Sequence, residues 1–190
     1  MAANAYHKAT NDPEVAAFGL EVGRWMVESY QYDEERTPWR DYLGGYYKLP
    51  HELPAMQAFC YAEGTAAAYQ LALRAAPDQA PFFEKASRAT VRFAYVMQYD
   101  DWNTYAFSRP WVVKGGVRYA MNETKVRIDY VHHAFSAMYQ YLVGARQDPA
   151  LPEGVKATVP LLDEQIAAAR ARAEKAAAAS RPDRAAPPPR

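Results

Sequence analysis

This chain has little cysteine, no net charge and no long apolar run, and each shortage excludes something. Its one cysteine in 190 residues, Cys60, rules out an intramolecular disulfide. The 22 basic and 22 acidic side chains cancel to a formal charge of +0, so no overall electrostatic pull toward nucleic acid or an acidic membrane surface is expected. No stretch approaches the roughly 18–20 apolar residues that cross a bilayer. Met1 to Asp12 lacks a basic segment followed by an apolar block, so no secretory signal is expected. A soluble, cytoplasmic protein with no nucleic-acid and no membrane partner is the expectation. Glycine-rich phosphate loops, a nucleophile elbow, zinc knuckles and a His-Glu-x-x-His motif are also missing. No cofactor and no metal are therefore expected.

Aromatic residues are abundant instead, at 14% of the chain with fifteen tyrosines, and they gather around a signature that occurs twice. One copy reads Gln31-Tyr32-Asp33-Glu34, Pro38-Trp39 and Gly44-Gly45; the other reads Gln98-Tyr99-Asp100-Asp101, Pro110-Trp111 and Gly115-Gly116. Each follows one helix-like run and precedes another. The fold class predicted is all-α, an array of antiparallel helical hairpins joined by long aromatic loops.

Residues 1–12 form an arm, 13–146 the duplicated hairpin domain, 147–159 a connector, 160–179 a C-terminal helix and 180–190 a Pro-Arg-Ala tail whose composition predicts disorder. Asn11-Asp12-Pro13-Glu14 is a strong helix start, and the first helix runs to Tyr30. Val15, Phe18, Val22, Trp25, Met26 and Ser29 recur at three- and four-residue steps, which predicts the buried stripe. The second helix spans about Pro54 to Ala75 and is alanine-rich, with Cys60 read as a small core residue. The third spans about Ala80 to Gln98, with Arg88 and Arg92 on its wetter side. The fourth spans about Val126 to Val143, with Gly144 as its C-cap.

A helix ending in Gln-x-x-(Asp/Glu), followed by tryptophan and paired glycines, resembles the repeat of the (α/α) toroid proteins, which include six-hairpin glycosidases and squalene-hopene-type terpene cyclases. Gln98-Tyr99-Asp100-Asp101-Trp102 comes closest, without the glycine that separates acid and tryptophan in the cyclase repeat. The resemblance covers about Pro13 to Val143. It implies part of a ring, since a full toroid has about six hairpins and this chain offers two and a lone helix. It also implies that the glutamine and acid satisfy loop backbone groups while the indole covers the helix end.

The candidate chemistry lies on the second and fourth helices. Asp129 to His133 is an i,i+4 pair in which a carboxylate would hold an imidazole as a base, and Asp129 to His132 is the i,i+3 alternative. Asp129 and Arg127 as helix caps is the structural alternative. Glu63 stands out among alanines, where desolvation would suit a general acid; bonding to a neighbouring loop is its other reading. Glu63, Asp129 and His133 are thus the catalytic candidates. Tyr47, His51, Glu52, Trp102, Tyr119, Glu123, Arg127, Tyr130 and His132 are candidates for holding substrate, the aromatics as platforms for sugar rings. Aligning the Gly-Gly pairs places Glu52 opposite Glu123, each just before a helix; chance, or first-turn acids that stabilise a helix N-terminus, is the structural alternative. The function expected is binding or processing of a glycan in an aromatic cleft, by a chain inactive alone. The alternative is a non-catalytic module that completes its ring with a second copy or a partner protein.

Overall fold

The computed structural model describes residues 1–37, 39–48, 52–55, 57–153 and 171, in two compact units, Met1–Pro149 and Ala150–Arg190. Apart from residue 171, the predicted C-terminal helix and tail lie outside the described residues, as do His51 and Pro38. The first unit is mainly helical: α1 (Ala2–Thr10), α2 (Pro13–Tyr30), α3 (Gln57–Ala75), α4 (Ala80–Met97), the short α5 (Pro110–Val113) and α6 (Ile128–Gln147), with a small antiparallel hairpin of β1 (Arg118–Ala120) and β2 (Glu123–Val126).

The residues expected to form an arm are instead a helix, α1. It ends at Asn11 in the left-handed conformation (φ 55°), whose N–H bonds back to the His7 carbonyl. The α2 start is as predicted: the Asp12 carboxylate accepts from the Glu14 and Val15 N–H groups, with Pro13 in the first turn.

The helices stack as hairpins. Gly19 meets Leu71, Gly23 meets Ala68 and Met26 meets Gly64, so α2 and α3 run antiparallel. The Glu84–Tyr141 hydrogen bond and the shared packing of Ala94 and Ala134 set α4 antiparallel to α6. Glu63 bonds His133 and Gln70 bonds the Gln140 carbonyl, seven residues further along both helices, so α3 and α6 lie parallel. The N-terminal ends of α3 and α6 therefore share one end of the array, and both long loops lie there. A bridge between Ala55 and Ala120 joins them.

Small residues bring α3 and α6 close. Gly144 lies within α6, not at its cap, because a Cβ there would come within 2.7 Å of the Tyr69 ring. The helix runs on to Gln147. Tyr69 donates to Asp148 at 2.6 Å and Tyr141 to Glu84 at 2.9 Å, with their rings stacked. Burial first, then these carboxylates, push both phenols well above the ordinary tyrosine range. Under the loops, Tyr46, Phe59, Phe93, Met97, Val117 and Ala134 form an apolar cluster.

Two sequence expectations fail on α2 and α3. The buried positions of α2 are Ala16, Leu20, Gly23 and Val27, whereas Phe18 and Trp25 are 64% and 54% exposed. The close approach of α3 at Gly19 and Gly23 leaves no room there for a large side chain, and Phe18 and Trp25 face outward. Cys60 is exposed and not a core residue. Partial burial and the nearby Glu63 and Asp129 carboxylates push its thiol up, the opposite of what a nucleophile needs.

Candidate functional site

Both loops begin with the same local construction. Asp33 Oδ1 accepts from the Glu35 and Arg36 N–H groups, and Asp100 Oδ1 accepts from Trp102 and Asn103. Burial raises the Asp33 carboxyl, but hydrogen bonds and charge from Arg36 outweigh it and leave the group below the usual carboxylate range. Tyr32 and Tyr99 exchange backbone hydrogen bonds with the paired glycines, through Gly45 and Gly44 in one copy and Gly116 and Gly115 in the other. Each tyrosine hydroxyl then donates to the strand-like segment ahead of the next helix, at the Glu52 and Thr124 carbonyls. The expectation holds in part: Gln98 donates to the Gly115 carbonyl, but the acids that bond the loop backbone are Asp33 and Asp100, one residue ahead of the Glu34 and Asp101 of the Gln-x-x-acid pattern, and Asp101 pairs with Lys114 instead. The indole of Trp102 does not cover the helix end: it is 88% exposed.

Below the loops, one predicted pair forms differently. His133 Nδ1 lies 2.9 Å from Glu63 Oε2, across the seam between α6 and α3. Asp129, expected to orient His133, instead accepts from Arg127 at 3.1 and 3.0 Å. The reason is the start of α6. Arg127 is its N-cap in extended conformation, so the guanidinium folds over the first turn and takes the carboxylate. The parallel approach of α3 then supplies His133 with a different acid. Glu63 is buried, His133 half-buried and His132 exposed, and one potential ligand atom from each lies within 4.8 Å of the others. These are the residues that could hold a metal ion.

The remaining candidates scatter. Tyr130 is buried, with Tyr119 packed on it at 5.1 Å between ring centres and Arg127 over its other side, so it offers no open face to a sugar. Tyr47 is half-buried against Tyr30 and Tyr32. Glu52 and Glu123 are exposed, and neither lies in a helical first turn: Glu52 precedes α3 in extended chain and Glu123 is in β2. Trp102 stands in the open with Tyr105 and Trp111, which are 87% and 72% exposed.

Sequence reasoning missed the pairing of Glu63 with His133, because nothing in the spacing shows that α3 and α6 run parallel. It also missed a cavity of about 360 Å³ between the end of α2 and α4, lined in part by Glu28, Asp33, Arg36, Lys85, Arg88 and Arg92. Three of its cations are already engaged: Arg36 with Asp33, Arg88 with Glu84 and Arg92 with the Arg40 carbonyl. Arg88 and Arg92, one turn apart on α4, were its signal in the sequence.

No protein-family model matches this chain, and neither a curated protein nor a solved structure matches it.

Proposed function

We propose that this chain is a glycan-binding array of helical hairpins, related to the (α/α) toroid proteins, with its second aromatic loop as the saccharide platform. The observation that carries this reading is the exposure of Trp102 (88%), Tyr105 (87%) and Trp111 (72%) within one loop. Leaving a large aromatic side chain in water forgoes about 1.5–3 kcal/mol of burial. Flat rings held open beside polar groups suit the apolar faces of sugar rings. Processing of the glycan would fall to Glu63 and His133, which sit one to two helical turns below the loops and can pass a proton between them.

The test is calorimetric titration of the full chain with soluble neutral and acidic polysaccharides, repeated on Trp102→Ala. Binding should be lost in the variant at an unchanged melting temperature. Equal binding by the two proteins would remove the platform.

A second reading is favoured by a separate observation. Ile128, Phe135 and Tyr139 are 89%, 48% and 37% exposed on α6, and Phe18 and Trp25 are exposed on α2. Apolar stripes at two edges of a hairpin array fit a subunit that joins a second copy to extend its ring. Sedimentation velocity over a concentration series tests this: a dimer or trimer supports it, and a monomer at the highest concentration excludes it.

A further inference from the structure

We infer that Glu63, His132 and His133 form a binding site for a divalent transition-metal ion, with zinc the expected occupant. The inference rests on the α3–α6 seam alone and stands or falls separately from glycan binding. The two histidines are adjacent on α6, where neighbouring side chains diverge by about 100°. Their rings nevertheless approach to 5.2 Å between centres at 63°, and both can present a nitrogen toward Glu63. The three donor atoms lie within 4.8 Å of one another, and one pair is already at 2.9 Å. Tetrahedral zinc with ligand bonds of about 2.0–2.1 Å sets its donors about 3.3 Å apart, so small side-chain rotations close the site.

The donor set defines the ion. Two imidazoles and one carboxylate suit zinc and neighbouring first-row metals, whereas calcium and magnesium favour oxygen ligands. Three protein ligands leave a coordination position open, and His132 gives that position access to water. Glu63 explains why the site favours a cation. A buried carboxylate needs a compensating partner; the Met1 ammonium attracts Glu63 through space, and the carboxylate's hydrogen-bond partner among the described residues is the His133 ring, neutral or charged, so a bound cation adds to a site that already draws positive charge. His132 makes no hydrogen bond among the described residues, so its nitrogens are available without breaking a contact. The two histidines alone, as read from the sequence, lack a third ligand; the parallel packing of α3 supplies it.

The test uses untagged full-length chain, freed of metal with a chelator and titrated calorimetrically with Zn2+. Co2+ is added in parallel to read the visible absorption of a tetrahedral site. One equivalent should bind, and His132→Ala should weaken binding at least tenfold, as should Glu63→Gln. His132 is exposed, so its removal leaves the fold intact and keeps the test decisive if Glu63→Gln fails to fold. Glu21→Gln, an exposed acid on α2, should bind as the parent does. Absence of saturable binding, unchanged affinity in His132→Ala, or loss in Glu21→Gln with retention in His132→Ala would each overturn the site.

Discussion

The two copies of the loop share a hydrogen-bond pattern and differ in what covers them. In the first, Gln31 is buried and its amide donates to the Ala86 carbonyl and the Thr90 hydroxyl, both at 2.9 Å. In the second, the Gln98 amide donates to the Gly115 carbonyl at 3.2 Å in an exposed setting. Gly44 and Gly115 have nearly the same backbone angle, φ 87° and 84°. A Cβ at Gly44 would run into the Ala89 carbonyl, while a Cβ at Gly115 meets nothing within 4 Å among the described residues. The first loop is sealed by α4. The second has no equivalent helix over it among the described residues. The same signature therefore serves as a packed joint in one copy and an open face in the other; Trp39 of the first loop is also exposed (65%), whereas the second loop exposes Trp102, Tyr105 and Trp111 together.

Paired substitutions probe this difference. Gly44→Ala should destabilise the chain by about 4 kcal/mol or prevent folding, since it combines a left-handed backbone with a collision against main chain. Gly115→Ala carries only the backbone strain, about 1 kcal/mol. Urea unfolding of both variants measures the contrast; equal losses would mean that the two loops are equally packed. Gln31→Ala should cost about 3 kcal/mol, because buried acceptors lose their donor, and Gln98→Ala under about 1 kcal/mol.

A smaller contrast concerns pH. Tyr46, in the first copy, corresponds to Val117 in the second, and both pair with the glutamine ahead of them. Burial raises the Tyr46 phenol to about 12, offset in part by its hydrogen-bonding contacts with Thr65 and Thr90. The unfolded chain releases this proton near pH 10 and the folded chain near 12, so the unfolded state holds fewer protons between those values. Stability should be full below about pH 10 and fall by roughly 3 kcal/mol as pH rises to about 12. Tyr46→Phe, which removes this ionisation, should make the alkaline limb shallower in denaturant titrations, leaving the part that the raised Tyr69 and Tyr141 phenols supply. An unchanged limb would assign the loss to other groups.

Much of this was legible in the sequence because it is local. The Asp12 cap and Pro13 fix the start of α2, and the Gln-Tyr-Asp that opens both copies marks both loop entries, although the acid that bonds the backbone comes one residue earlier than in the Gln-x-x-acid pattern. What depends on how helices meet was not legible. The stripe containing Phe18 and Trp25 has helical period, yet period alone does not say which face a partner covers, and glycine and alanine made the closer contact. Gly144 looks like a cap in the sequence and is an interhelical contact in the fold. Asp129 was the nearest acid to His133 along one helix, whereas Glu63, 70 residues earlier, is its partner in space.

Hydrogen–deuterium exchange of the intact chain, with and without the polysaccharide that binds it, tests the role of the open loop most directly. Protection confined to residues 99–116, with no change across 31–45, is the expected result. Unchanged exchange in 99–116, or protection shared equally by both loops, would contradict a saccharide platform built on the second copy.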